Sequence, residues 1–195
     1  TKEERDKVYK YQIAMFENKK KLMPEVKKIA EKNKWNYTMG IDRGFDLAVL
    51  EFPFAMWQYG QIKPLNLPGK KASADELLNP LSKVSALYYF SEQGIIDFLP
   101  HYYQAMTEMG YYGYDVKPFK KYLPDTKPIT WDFTLTPYGM DTTFNPKTLL
   151  FLHDFVQNKG DHILYIYGEY DTWTATGVTK ITGPADALVM IQPKG

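Results

Sequence analysis

The sequence predicts an α/β chain: a mainly helical region over residues 1–125, followed over 126–195 by the last strands of a parallel sheet with covering helices. Three observations carry this. The first 125 residues repeat their apolar side chains at helical spacing. Prolines at 124, 128 and 137 then break the rhythm into short segments. Finally, a helix-period stretch opening at Asn145 leads into two β-prone apolar runs, His162–Tyr167 and Ala187–Ile191, and helix, strand, connection, strand is the order of a parallel sheet covered by helices.

From Thr1 to Leu22, Val8, Tyr11, Met15 and Leu22 fall on one helical face, with Tyr9, Ile13 and Phe16 beside them. Lys19, Lys20 and Lys21 then suit the negative end of that helix dipole. Pro24 fits the first turn of a second helix, whose stripe is Val26, Ile29 and Ala30. Phe45–Tyr59 is apolar on nearly every side, which predicts a buried helix, kinked at Pro53. After a Pro- and Gly-punctuated loop, Ser73 and Glu76 have capping-box spacing and start a helix running to about Phe90, with Pro80 early in it.

Ser91–Met109 reads as a helix broken near Pro100, and residues 110–121 as irregular. Thr130–Leu135 reads as extended or as a crossing loop. In the helix opened by Asn145-Pro146-Lys147, a core stripe is predicted from Leu149, Leu150, Leu152, Phe155 and Val156, ending at Lys159-Gly160. Two strands are too few for a stable sheet. The remaining strands are therefore expected upstream of Thr1, and both ends of the chain are expected to be cuts through a longer polypeptide.

Composition narrows the partners. With 24 Lys+Arg against 23 Asp+Glu and a net charge of +1, nothing points to nucleic acid or an anionic membrane. The chain has no cysteine, which excludes disulfides, a thiolate nucleophile and cysteine-based zinc sites. No metal or cofactor is called for, and no apolar run is long enough for a membrane span or signal segment.

The chemistry-bearing residue is Asp171. A carboxylate just after a buried parallel strand stands at the carboxyl edge of the sheet, where open α/β folds place active sites. Taken as pattern alone, Glu169 and Asp171 could equally be turn and cap residues. The surrounding string, YIYGEYDTWTATGV, resembles the acid-bearing segment of the prolyl tri/tetrapeptidyl aminopeptidase family of secreted serine peptidases, which have the α/β-hydrolase fold. Tyr167, Gly168, Glu169, Tyr170, Asp171 and Trp173 match the family's pattern, and Thr172 replaces its usual proline. LEFPFAMWQYG (residues 50–60) and TEMGYYGYD (107–115) resemble other stretches of the same family.

The resemblance implies that Asp171 is the acid of a Ser-His-Asp triad, orienting the histidine and stabilising its charged form. It implies a serine elbow upstream and a histidine after the last strand, and this sequence carries neither. His101, His153 and His162 read as surface or packing residues. The chain is thus expected to be inactive alone, with the remainder of its own polypeptide as its necessary partner. By the same resemblance the helical region is a cap, the substrate is a peptide with a free N-terminus releasing short, proline-ended products, and the location is secreted or periplasmic.

A free α-ammonium in a partly dry pocket needs an acidic partner. Glu51, embedded in an otherwise apolar helix, is the first candidate, followed by Glu92 and Glu108; the alternative is that Glu51 pairs with a structural arginine such as Arg43 or reaches solvent. Trp57, Tyr59, Tyr111 and Tyr112 are candidates to wall a proline-accepting pocket, against the reading that they are plain core. The substrate-binding set is Glu51, Trp57, Glu108 and Trp173. Two other readings stand beside this one: a capped α/β-hydrolase esterase or lipase, and a non-catalytic binding module.

Overall fold

The computed structural model describes residues 1–59, 62–84, 86–123 and 129–193. Its helical body is built from α1 (Lys2–Glu17), α2 (Lys19–Asn33), α3 (Ile41–Tyr59), α4 (Ala74–Lys83), α5 (Ala86–Tyr89), α6 (Glu92–Asp97) and α7 (Leu99–Gln104). A π-helical turn, Ala105–Met109, extends α7. After an irregular stretch come α8 (Lys147–Asn158), β1 (Ile163–Gly168) and β2 (Ala187–Gln192).

The core forms around α3, which is apolar on nearly every side and is buried continuously from Gly44 to Phe52. Tyr11, Phe45, Phe52, Leu77 and Leu81 are all at most 1% exposed. Burial of each such side chain is worth about 1.5–3 kcal/mol. Tyr11 stacks obliquely on Phe52 at 4.6 Å and donates its hydroxyl to the Leu77 carbonyl at 2.6 Å, tying α1, α3 and the start of α4 together. Pro53 lies inside α3, in an unbroken helix.

Several local expectations are met. Ser73 accepts from the Glu76 N–H while the Glu76 carboxylate accepts from the Ser73 N–H, the reciprocal cap that opens α4. Pro100 stands at the start of α7, immediately after the break at Phe98. Others are corrected. The first helix ends at Asn18 and Leu22 belongs to α2, so the three lysines open the second helix instead of closing the first. Asn18 donates to the Ala14 carbonyl and to the Lys70 carbonyl, a tertiary hold that ends the helix where periodicity alone continues. Pro24 consequently lies inside α2 and not in its first turn. The helix expected to reach Phe90 stops at Lys83 and resumes as α5. Thr130–Leu135 is not extended; of the two expectations the loop holds, with Asp132–Thr134 and Thr136–Tyr138 as tight 3₁₀ turns beside the buried Trp131.

The expected boundary between 125 and 126 falls within 124–128, outside the described residues. Ile129, Trp131 and Leu135, on its far side, are buried in the same core as the helices before it. β1 and β2 pair in parallel, with Ile163 opposite Ala187 and Gly168 opposite Gln192, as the order helix, strand, connection, strand requires. Gln157 on α8 fixes the connection: its side-chain oxygen accepts from the Thr182 N–H at 2.7 Å and the Gly183 N–H at 3.3 Å, and its amide donates to the Lys180 carbonyl. The core stripe expected on α8 is not buried. Leu150 is 63% exposed, and Leu149, Leu152 and Phe155 are exposed with it. The outward side of the sheet, with Leu164, Ile166, Leu188 and Met190, is likewise uncovered. No helix among the described residues is long and apolar enough to cross a membrane.

Candidate active site

Asp171 follows β1 by one tight turn, at the carboxyl end of the two parallel strands. Its Oδ1 accepts from the Trp173 N–H at 3.0 Å and so caps the 3₁₀ turn Thr172–Thr176. The Thr174 hydroxyl donates to the Gly168 carbonyl at 2.7 Å and closes the turn back onto the strand. Asp171 remains solvent-exposed. The capping role and the catalytic expectation are therefore compatible, since the cap occupies one carboxylate oxygen.

Glu51 is 7% exposed and faces a wall of tyrosines. Its Oε2 accepts from the Tyr114 hydroxyl at 2.6 Å and from the Tyr112 hydroxyl at 2.8 Å. Its partners are two phenols and not Arg43. Burial raises its carboxyl to about 7, and the two phenolic hydrogen bonds pull the other way. The same burial, reinforced by the neighbouring acid, pushes the Tyr112 and Tyr114 hydroxyls far up, so both act as donors. Tyr111 is raised to about 12.

The tyrosines are held from behind. Trp131 Nε1–H donates to the Tyr112 carbonyl at 2.7 Å, and its ring stands edge-on to Tyr111 at 4.7 Å. Gly110, at φ +83°, turns the chain out of the π-helical turn and into this tyrosine segment. In front of Glu51 opens a cavity of about 770 Å³, walled by Tyr59, Tyr102, Tyr111, Trp131 and Trp173 among others. Among the described residues no partner falls on Glu51 Oε1 and no fully buried polar side-chain atom lacks one, so this oxygen is not sealed off, and Glu51 lines the open cavity. The site offers one titratable carboxylate at the floor of an aromatic chamber, which is a binding arrangement for a cation carried on an apolar body.

The remaining sequence candidates are distributed as follows. Trp173 lines the cavity, and so do Tyr59, Tyr111 and Tyr112. Trp57 does not: it packs against the core on another side of α3, since Glu51, Ala55, Gln58 and Tyr59 share the cavity-facing side and Trp57 points about 120° away from Glu51 at 3.6 residues per turn. Glu108 sits on the π-helical turn, next to the cavity-lining Met109, but is not itself part of the lining. Glu92 accepts from the Thr38 hydroxyl at the start of α6. His101, read from sequence as a packing or surface residue, does pack against Tyr102 and Tyr111, and it also lines the chamber. His153 is exposed on α8, and the His162 N–H donates to the Asp186 carbonyl before β1. Tyr89, Tyr102 and Trp131 are chamber residues that sequence reasoning missed; their signal was only an abundance of aromatics, without spacing. No group of three or more metal-ligating side chains occurs among the described residues.

Comparison with known proteins gives the geometry a context. Over 135 residues, 68% of this chain, the sequence is 30% identical to a prolyl tri/tetrapeptidyl aminopeptidase of Streptomyces mobaraensis. That stretch is 28% of the relative's length, so the chain spans under a third of the protein it matches. No solved structure matches it. The model of one family, the PS-10 peptidase S37 family, matches residues 1–195 from end to end: the chain belongs to the peptidase S37 family.

Proposed function

We propose that this chain is the substrate-reading cap and the acid-bearing end of the α/β-hydrolase core of a secreted or periplasmic serine peptidase that releases short, proline-ended peptides from free N-termini. The observation that carries the reading is Glu51: a buried carboxylate with one oxygen held by two phenols and the other facing an aromatic chamber. An ammonium entering this chamber meets a charge partner in a partly buried setting, where the attraction is stronger than in bulk water. The chamber, at about 770 Å³, is within the range that holds a ligand the size of a short peptide, and its rings suit pyrrolidine and aliphatic side chains.

Asp171 supplies the acid of the triad. Its free oxygen accepts the histidine Nδ1–H and stabilises the imidazolium formed when the serine hydroxyl gives up its proton to the ring. The serine and histidine come from the rest of the polypeptide. The serine oxygen attacks the carbonyl of the last residue to be released, the histidine returns the proton to the departing amine, and water then hydrolyses the acyl-enzyme.

The test uses the full-length protein and matched peptides with free and acetylated N-termini. The reading requires cleavage of the free peptides only, a loss of kcat of about 10⁴ in Asp171→Asn, and a raised KM for free peptides in Glu51→Gln. Equal cleavage of blocked and free peptides would overturn it.

A further inference from the structure

Trp173 stands two residues beyond Asp171, and its N–H is the donor that Asp171 Oδ1 caps. Its indole reaches across to the helical body, where it meets the Tyr112 ring at 5.1 Å and the Phe54 ring at 6.2 Å. Both contacts lead to Glu51. Tyr112 donates its hydroxyl to the Glu51 carboxylate, and Phe54 lies on α3 within one turn of Glu51. Among the described residues, these are the only ring pairs that join the chain beyond residue 140 to the body before it, one through α3 and one through the tyrosine segment after Gly110. The indole is half-buried and lines the chamber, so it is a wall and a brace at once.

We propose that Trp173 is a positioning residue that fixes the separation between Glu51 and Asp171, and that it thereby sets how many residues are released from the substrate. This rests on the reading of Glu51 as the amine anchor and Asp171 as the triad acid. A peptide held at its N-terminus and cut at a fixed carbonyl is measured by the distance between anchor and catalytic group. Each residue of extended chain adds about 3.3–3.6 Å, so the anchor must be held to well within that distance for three residues to be told from four. Anchor and acid lie on α3 and on the turn after β1, two elements far apart in sequence, so their separation is set by the contacts between those elements. A ring wedged against both Tyr112 and Phe54 holds the turn to the helix in two directions, which one contact would not.

The experiment compares full-length wild type, Trp173→Phe and Trp173→Leu on two free-N-terminus chromogenic peptides, with proline third and fourth from the N-terminus. The readout is the ratio of the two kcat/KM values, with far-UV circular dichroism and thermal melting confirming that each variant folds. Trp173→Phe, which keeps a ring, retains the wild-type ratio. In Trp173→Leu the ratio moves toward unity by about tenfold or more, the scale on which ångström misplacements act. A Trp173→Leu enzyme whose two values fall by the same factor, or do not fall, overturns the proposal, because a merely supporting residue leaves the ratio alone. A wild type indifferent to N-terminal acetylation overturns the amine-anchor reading and this inference with it, whereas an N-terminus-dependent wild type with an unmoved ratio in Trp173→Leu overturns this inference alone.

Discussion

Lys19 Nζ lies 2.7 Å from Asp46 Oδ1, and the Asp46 side chain is only 1% exposed. The same ammonium donates to the Asp42 carbonyl at 3.1 Å, so the first residue of α2 is fastened to the first turns of α3. Burial pushes the Asp46 carboxyl up, and the hydrogen bond and charge of Lys19 oppose that shift. Removing one partner of a buried pair leaves an uncompensated charge, so Lys19→Met is expected to cost about 3 kcal/mol or more in urea denaturation. Adding Asp46→Asn should return part of the loss, and a double variant no better than the single one would show that the pair is not the cause.

Gln12 makes a second hidden attachment. Its side-chain amide donates to the Val49 carbonyl at 2.9 Å, and Val49 is the residue whose helical donor Pro53 cannot supply. Gln12→Leu keeps the volume and strands that carbonyl in the core. The expected loss is about 1–3 kcal/mol, measured by chemical denaturation, while the same change at an exposed position of α1 should be nearly silent.

The titration of Glu51 has two opposite consequences. Its folded value of about 7 stands above the ordinary 4.5, so the fold takes up a proton that the unfolded chain releases. That contribution to stability is complete below the ordinary value and is lost as pH rises through 7. Glu51→Gln is expected to flatten the fall in melting temperature across this window. If Glu51 binds the substrate amine as proposed, capture runs the other way, because the carboxylate forms only as pH rises through 7, and the α-amino group closes the window from above near pH ~8. In the full-length enzyme KM for free peptides should pass through a minimum between these values, and Glu51→Gln should remove its acid limb.

Gly94 is required by packing. A Cβ at this position would overlap the Tyr88 carbonyl oxygen, which already accepts from the Ser91 hydroxyl at 2.7 Å. Gly94→Ala must push α6 away from α5, where Tyr89 faces the chamber. The expected cost is about 1–3 kcal/mol, read as a lowered urea midpoint at unchanged slope.

Much of this architecture is legible in the residues because it is locally encoded. Ser73 and Glu76 satisfy each other within one turn, α3 announces its burial by being apolar all round, and Pro100 dictates the break before α7. The parallel pairing of β1 and β2 likewise follows from the order of the elements. Asn18 was not legible, because the contact that ends α1 is to the Lys70 carbonyl, far along the chain. The chamber divides along the same line. Glu51 stood out as an acid among apolar neighbours, but its phenolic partners lie 61 and 63 residues away and no spacing rule links them. Trp57 is the complementary case: it is close in sequence to Glu51, but helical geometry turns it to a different side of α3.

The uncovered sheet described above has a practical side. Two parallel strands with no other neighbour among the described residues present two open edges of unpaired backbone groups, flanked by Leu164, Ile166, Leu188 and Met190. Such edges are templates for aggregation. A solution of this chain by itself is expected to cluster with rising concentration, starting from the strands while the helical body stays folded. Placing a lysine at Ile166 or Leu188 should raise the concentration at which light scattering first appears, making these two outward positions the first to alter when the segment is handled apart from whatever covers it.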